Sequence, residues 1–376
     1  MSDLAPTPGN VPGDVPCDMP GDVPGSVTGD MLSDTPGETA AAARGGRRHG
    51  RLDGALYAAL DLGTNNCRLL VGAPTPRGFR VVDSFSRIVR LGEGLVATGR
   101  LSDAAMDRAI DALVACADKL NRRPLRGFAA VATEACRRAT NGAAFLGRVA
   151  RETGITPRII GPREEAQLAL ASCAPLLTPG DRRAILFDIG GGSTEIAWVR
   201  LAPVGQESQE PTLVGTVSLP VGVVTLSERE GESCFTRGGF DAVRDEVAAR
   251  LQAFDAVHCI GQEIRQGGVR LIGTSGTVTT LAGTVLDLPR YRRQWVDGVC
   301  LDAEEADRAL EKLFAMGRAG LVEHPCIGPE RADFVLPGCA VYAAIRQVWP
   351  VSCLTVADRG LREGMLMKLI AGDRRR

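Results

Sequence analysis

Two glycine-rich segments, 127 residues apart, constrain the fold of this chain more than any other feature. The first is Asp61-Leu62-Gly63-Thr64-Asn65-Asn66, and the second is Asp188-Ile189-Gly190-Gly191-Gly192-Ser193-Thr194-Glu195. Each follows a short apolar run and enters another, which is the pattern of a strand, a tight turn and a second strand. Turn amides and hydroxyls can hold phosphate oxygens, and a neighbouring carboxylate can hold a hard cation. Two such turns therefore predict a duplicated fold that grips one anion from two sides.

The apolar pattern outside these turns is typical of an α/β protein. From residue 56, and again from residue 184, three predicted strands are followed by alternating helices and strands. Such a repeat indicates a structural duplication. We place the first domain at residues 54–172 and the second at residues 173–372, with Pro175, Pro179 and Gly180 marking the connection.

Residues 1–53 differ in composition from the rest of the chain. They repeat the unit Pro-Gly-Asp-Val-Pro and contain no aromatic residue. A segment of this kind cannot bury enough apolar surface to offset its chain entropy, so we expect a disordered, low-complexity tail. It is either a docking tail or a dispensable extension, and in the second case Met19 and Met31 are alternative starts.

Bulk composition narrows the partners of the chain. A net charge of −1 over 376 residues gives no cationic field that would attract nucleic acid or a membrane surface. No run approaches the roughly 18 apolar residues of a membrane helix, and the N-terminus does not resemble a secretory signal. Eleven cysteines without a Cys-x-x-Cys pair predict reduced thiols in a cytoplasmic protein, and three histidines exclude a His-rich metal site.

Further segments carry candidate ligands for an anion and a cation. Ser275, Gly276 and Thr277 lie between a predicted strand and a predicted helix, where free backbone amides point at an anion. Oxygen ligands suited to Mg²⁺, or to Mn²⁺ in its place, are offered by three carboxylates, Asp61, Asp188 and Glu195. The same carboxylates could instead cap turns through hydrogen bonds.

Two glutamates and two arginines complete the candidates. Glu164 and Glu165 begin a predicted helix, where one of them could be a general base, although acidic residues are also favoured there by the helix dipole. Arg137 follows a strand end and Arg90 precedes a Leu-Gly-Glu-Gly turn. Both could hold phosphate, but an arginine is more commonly a solvated surface group.

Together these residues resemble the exopolyphosphatase / guanosine pentaphosphatase (Ppx/GppA) family, from about residue 55 to residue 367. The resemblance rests on segments that occur in the family's order, at 59–65, 90–94, 133–137, 164–166, 187–195, 275–277, 337–340 and 360–364. It implies two ribonuclease-H/actin-like domains around an interdomain cleft, as in the actin–Hsp70–sugar kinase superfamily. One departure is Asn66, which stands where the family usually has Ser or Thr.

The resemblance also implies roles for single residues. Glu165 takes the position of the catalytic base, Arg137 that of a phosphate-binding arginine, and Asp188 and Glu195 those tied to Mg²⁺ and water. The residues that we expect to bind substrate phosphate are Gly63, Thr64, Asn65, Arg90, Gly190, Gly191, Gly192, Ser193, Ser275, Gly276 and Thr277.

The expected reaction is hydrolysis of the terminal phosphoanhydride of inorganic polyphosphate, releasing orthophosphate. Guanosine pentaphosphate is the alternative substrate, because it ends in the same bond. A sugar-kinase-like ATP enzyme and a non-catalytic phosphate or nucleotide sensor are further alternatives. A homodimer is suggested by the resemblance alone. The chain stops about where the two core domains of longer members end, which argues against processive binding of long polyphosphate.

Overall fold

Each of the two glycine turns lies in a β-hairpin, and each hairpin belongs to its own sheet. The computed structural model describes residues 54–76, 78–178, 180–203 and 210–375. The predicted tail and Pro179 of the predicted connection lie outside the described residues. Within the described part, no helix is both long and apolar enough to cross a membrane.

The first sheet has the strand order β3-β2-β1-β4-β5. Its strands are β1 (Leu56–Leu62), β2 (Asn66–Thr75), β3 (Gly78–Ile88), β4 (Leu125–Ala132) and β5 (Arg158–Ile159). β1 is antiparallel to β2 and parallel to β4, and Asp61 pairs with Arg68 in the β1–β2 register.

The second sheet has the order β10-β11-β9-β6-β7-β8. Its strands are β6 (Arg183–Ile189), β7 (Thr194–Arg200), β8 (Thr212–Leu219), β9 (Val269–Thr274), β10 (Cys300–Asp302) and β11 (Cys353–Ala357). β6 is antiparallel to β7 and parallel to β9, and Asp188 pairs with Glu195. Because this repeats the arrangement around β1, the predicted duplication is confirmed.

Thirteen α-helices occur in the described residues, and most are amphipathic elements that cover the sheets. They are α1 (Leu95–Thr98), α2 (Asp103–Asn121), α3 (Glu134–Arg138), α4 (Gly142–Thr153), α5 (Pro162–Cys173), α6 (Val223–Glu230), α7 (Arg237–His258), α8 (Ile260–Arg265), α9 (Gly276–Val285), α10 (Arg293–Val296), α11 (Ala303–Glu323), α12 (Ala332–Val348) and α13 (Leu361–Arg374).

The two faces of each sheet are buried by different helices. α2 and α4 cover one face of the first sheet, while α13 returns from the end of the chain to cover the other. The large core of the second sheet is built with α7, α9, α11 and α12. The predicted boundary between residues 172 and 173 stays a prediction, and α13, which that boundary places in the second domain, packs against the first sheet.

Helix α5 is the element that brings the site together. Its apolar side packs on the second sheet, through Ala166, Ala169 and Leu170 against Ala184 and Leu186. It also touches α13 so closely that a Cβ on Gly364 would lie 2.1 Å from the Leu168 carbonyl oxygen. The position of α5, and therefore of Glu165 in its first turn, is fixed by packing on two sides.

The cysteines depart from the prediction that all are reduced. Cys300 and Cys353 form a disulfide between the neighbouring strands β10 and β11, with Cα atoms 6.1 Å apart. The physical reason is register: antiparallel pairing of two short strands, distant in sequence, places the two side chains within bonding reach. Eight other described cysteines are free thiols, and all but Cys259 are buried.

Candidate active site

The three predicted anion-binding turns line one cleft with a volume of about 640 Å³. Most of the residues predicted from the sequence lie in its lining: Asp61, Gly63, Thr64, Asn65, Glu165, Asp188, Gly190, Gly191, Gly192, Ser193, Glu195, Ser275, Gly276 and Thr277. The topology explains why the three turns lie in one cleft. Each turn follows the carboxyl end of a central strand, β1, β6 or β9, and ligands of open α/β sheets bind outside those ends.

Arg90 lies outside this lining, so its predicted contact with phosphate has no support in the structure. Its side chain is exposed, and its backbone adopts a φ of 47°. The backbone N–H of Arg90 donates to the Asn65 carbonyl at 3.0 Å, beside the same contact from Val89. Arg90 therefore contacts the first glycine turn through its main chain.

The first two glycine turns contact each other. A Cβ on Gly191 would lie 3.2 Å from the Asn65 backbone nitrogen, and one on Gly192 would lie 2.1 Å from the Glu134 carboxylate. The Thr64 hydroxyl donates to that carboxylate at 3.3 Å. Glycine is needed at these positions because the two turns approach too closely for a side chain. Glu134, which sequence reasoning did not single out, thus bridges the two halves of the site.

Glu165 is a buried carboxylate held by an arginine. Arg137 donates through Nη1 to Glu165 Oε1 at 2.5 Å and to the Ile160 carbonyl at 2.6 Å. Burial raises the pKa of Glu165 to about 7, an effect opposed by Arg137 and reinforced by Asp61 and Asp188. A carboxylate with a pKa near neutrality is suited to accept a proton at physiological pH.

The neighbouring Glu164 lies in a different environment from Glu165. It forms a bidentate pair with Arg158, with distances of 2.5 and 2.8 Å, on the exposed side of α5. That pair lowers its pKa. The structure therefore distinguishes the two glutamates that the sequence left as alternatives: Glu165 faces the cleft and Glu164 faces solvent. Arg137 contacts Glu165 but is outside the cleft lining of the described residues, so its predicted contact with phosphate stays a prediction.

Three carboxyl groups that line the cleft with Glu165 also have a raised pKa: Asp61, Asp188 and Glu195. Burial raises the pKa of Asp188 to about 6 and that of Glu195 to about 8, and it also raises the pKa of Asp61. Glu195 Oε1 accepts hydrogen bonds from Ser193 at 2.6 Å and from Ser218 at 2.9 Å. The Ser193 hydroxyl is thereby committed to Glu195, which leaves its backbone amide as the candidate phosphate donor.

The donor set can be tested for its fit to the predicted cation. Asp61 Oδ1 is buried and has no hydrogen-bond partner among the described residues, as expected of an oxygen that awaits a ligand. Within the described residues, no three His, Cys, Asp or Glu side chains form a cluster that could hold a metal ion by themselves. The residues fit a cation such as Mg²⁺, which takes one or two carboxylates and completes its shell with phosphate and water.

Sequence reasoning missed the arginines of the cleft. Five of them line it: Arg68, Arg87, Arg331, Arg359 and Arg362. Arg331 is held by the Gly276 carbonyl at 2.9 Å and the Thr280 hydroxyl at 3.2 Å, and burial lowers the pKa of Arg331 and Arg362. They come from separate strands, loops and the start of α13, and of the five only Arg362 lies in a segment singled out from the sequence, 360–364, where it was given no role. The site thus opposes its buried carboxylates with fixed positive charge.

The two duplicated sheets, whose turns face a common cleft, form the actin-like α/β fold predicted from the sequence. The crystal structure of the Aquifex aeolicus member of the Ppx/GppA family matches this chain with a TM-score of 0.69 and 25% identity, over 85% of this chain and 98% of that one. An exopolyphosphatase-like protein matches with a TM-score of 0.73 and 27% identity, over 84% and 97%.

The family follows from the sequence match. The model of the Ppx/GppA phosphatase family covers residues 70–371. The chain belongs to the Ppx/GppA phosphatase family. A crystal structure of an exopolyphosphatase from Cytophaga hutchinsonii, 22% identical, shares the fold with a TM-score of 0.72, over 84% of this chain and 98% of that one.

Proposed function

We propose that this chain hydrolyses the terminal phosphoanhydride of inorganic polyphosphate and releases orthophosphate. The observation that carries the proposal is Glu165, a buried carboxylate with a pKa of about 7 in a cleft between glycine turns. Family membership supports a phosphatase, and the two similar exopolyphosphatase-type structures support this substrate class.

In this mechanism the glycine turns bind the terminal phosphate. The amides of Gly63 and Gly190 donate within their own turns, to the Asn66 and Ser193 carbonyls at 2.9 Å, so the phosphate oxygens accept from the remaining turn amides, those of Thr64, Asn65, Gly191, Gly192, Ser193, Ser275 and Gly276. The first turn of α9 adds the favourable end of a helix dipole. The cleft arginines Arg68 and Arg331 offset the charge of the following phosphates. Binding at fixed donors holds the terminal phosphorus in line with an attacking water.

Glu165 then activates the water. It takes a proton as the water oxygen bonds to the terminal phosphorus, and the bond from that phosphorus to the bridging oxygen breaks. The bridging oxygen leaves with the shortened chain and the terminal group becomes orthophosphate. Arg137 keeps Glu165 oriented and keeps its pKa from rising further.

The carboxylates that would hold Mg²⁺ or Mn²⁺ are one or two of Asp61, Asp188 and Glu195, with substrate phosphate and water completing the coordination shell. When bound, such a cation offsets negative charge that develops on the phosphate oxygens. The unpartnered Asp61 oxygen and the raised pKa values of Asp188 and Glu195 support this assignment, because clustered carboxylates become easier to ionise beside a cation.

Guanosine pentaphosphate is the second candidate substrate. The cleft volume, about 640 Å³, lies within the range of sites that bind small molecules and cofactors, so it has room for a nucleoside polyphosphate. The terminal phosphoanhydride of guanosine pentaphosphate would contact the same glycine turns and the same base, Glu165.

The experiment is to measure phosphate release from long-chain polyphosphate, tripolyphosphate and guanosine pentaphosphate in parallel, with and without Mg²⁺. The proposal expects release from polyphosphate that depends on the divalent cation. Preference for guanosine pentaphosphate would move the assignment to the alternative. Binding of all three without release would indicate a sensor, and ATP consumption that requires a sugar would indicate a kinase.

A further inference from the structure

A short basic and aromatic segment follows α9 at the edge of the cleft. Residues 290–295 read Arg-Tyr-Arg-Arg-Gln-Trp. Arg290, Arg292 and Trp295 are exposed, Trp295 to 44% of its surface. An exposed tryptophan among arginines is unusual on a chain with 4% aromatic residues and a net charge of −1, so the segment calls for a role.

The residues at the boundary of this segment and the cleft, called the wall below, are Tyr291, Asp297, Asp358, Arg359 and Glu363. A second depression, about 450 Å³ in volume, is lined by Arg292, Arg293, Gln294 and Asp297. Asp297 holds Arg359 at 2.9 Å, and Arg359 lines the main cleft. The Tyr291 hydroxyl donates at 2.5 Å to Asp358, and both residues also line the cleft. A chain of phosphates leaving the cleft over this wall would reach Arg292 next.

The charges on the wall are balanced, but those at its outer edge are not. Each acidic side chain of the wall has a cationic partner in pairs that span 2.9 to 3.8 Å: Asp297 with Arg359, Asp358 with Arg293, and Glu363 with Arg293 and Arg362. In the part of the chain that the structure describes, Arg290 and Arg292 form no ion pair. Their two positive charges are therefore available to an anion.

Trp295 prepares Arg292 for this contact. The Arg292 guanidinium carbon lies 4.8 Å from the centroid of the Trp295 ring. Contact between a guanidinium and an aromatic ring is favourable and leaves the N–H groups free at the edge of the guanidinium plane. An arginine restrained in this way loses less conformational entropy when it binds phosphate than a free surface arginine does.

We propose that Arg290–Trp295 forms an outer subsite for internal phosphates of a linear polyphosphate, with Arg292 as its principal contact. This inference rests on the proposed function, and it names where the chain runs after its terminal phosphate has entered the glycine turns. The planar donor fork of arginine matches phosphate oxygens, and the contact does not depend on a particular end group. A substrate too short to cross the wall does not use the subsite.

The test compares Arg292→Ala and Arg290→Ala with a control, Arg308→Ala. Arg308 is an exposed arginine of α11 that pairs with Glu304 at 3.4 Å, so its loss changes the net charge equally. We expect Arg292→Ala to lower kcat/KM for long-chain polyphosphate about two- to fivefold, through KM, as for a solvent-exposed ionic contact. The kcat/KM for tripolyphosphate stays unchanged, and Trp295→Leu gives a smaller loss in the same direction.

A second readout is the salt dependence of binding. Binding is measured at equilibrium without a divalent cation, and the logarithm of the binding constant is plotted against the logarithm of the salt concentration. For long-chain polyphosphate, Arg292→Ala should reduce the slope of this plot by about one unit. For tripolyphosphate, the slope should stay the same. Equal losses on both substrates, or equal effects of Arg292→Ala and Arg308→Ala, would overturn the subsite. Absence of phosphate release by the unaltered protein would instead overturn the proposed function, while the binding measurement would still judge the subsite.

Discussion

Replacing Arg137 with alanine should change the pH at which the protein works. Arg137 Nη1 lies 2.5 Å from Glu165 Oε1, and this contact opposes the effect of burial on the Glu165 pKa. Loss of an opposite charge at this distance raises the pKa of a carboxyl group by about 1–3 units. Glu165 would then be largely protonated at neutral pH, where a proton acceptor must be ionised.

The magnitude follows from the ionised fraction. With a pKa of about 7, half of the Glu165 side chains are ionised at pH 7. A rise of about one to two units lowers that fraction to roughly a tenth or a hundredth, so kcat at pH 7 should fall about 5- to 50-fold. Since the base itself is retained, activity should return as the pH rises through the new pKa.

The assay is kcat for phosphate release as a function of pH. The acidic limb should bend near pH 7 in the unaltered protein and about one to two units higher in Arg137→Ala. Arg158→Ala is the matched control. It removes the arginine that pairs with Glu164, the neighbour of Glu165 in α5, and leaves the pair of Glu165 with Arg137 in place. If the bend does not move in Arg137→Ala, the argument that Arg137 tunes the base is wrong.

Two other predictions concern stability and the turns. Burial raises the pKa of Asp188 from 3.8 to about 6 and that of Glu195 from 4.5 to about 8, so the stability they contribute is present at low pH and is lost as the pH rises through these values. The melting temperature without divalent cations should therefore fall between about pH 4 and pH 8, and Glu195→Gln should flatten this slope; an equally steep slope in that variant would contradict the assignment. Gly222→Ala places a Cβ 2.5 Å from the Gly191 backbone and should cost about 1–3 kcal/mol of stability by overpacking, while also lowering kcat/KM because the second turn moves. Gly238→Ala, whose Cβ meets nothing within 4 Å, is the control, and equal urea-unfolding midpoints and equal activities for the two variants would refute the steric argument.

Much of this fold could be predicted because local and global signals agree. The Asp61 and Asp188 turns each carry a complete strand–turn–strand pattern, and the same pairing of antiparallel and parallel neighbours appears around β1 and β6. Glu165 could be placed from its motif. Apolar residues recurring every three to four positions marked the long helices, since each buries one face against a sheet.

What could not be predicted depends on contacts between distant parts of the chain. Helix α13 carries no sequence signal that assigns it to the first sheet, and its position follows from burial against Tyr57 and Leu70. The disulfide depends on the register of the short strands β10 and β11. Arg331 enters the cleft through contacts with the Gly276 carbonyl and the Thr280 hydroxyl of α9, more than 50 residues away in the sequence.

The central claim is that Glu165 is the proton acceptor in phosphoanhydride hydrolysis. Its most direct test is the kcat of Glu165→Gln beside the unaltered protein, with long-chain polyphosphate and Mg²⁺. Glutamine keeps the size of the side chain and can still contact its neighbours, but it cannot accept the proton. We expect kcat to fall by roughly 10²–10⁴-fold with KM nearly unchanged and no recovery at high pH. A kcat close to that of the unaltered protein would contradict the account.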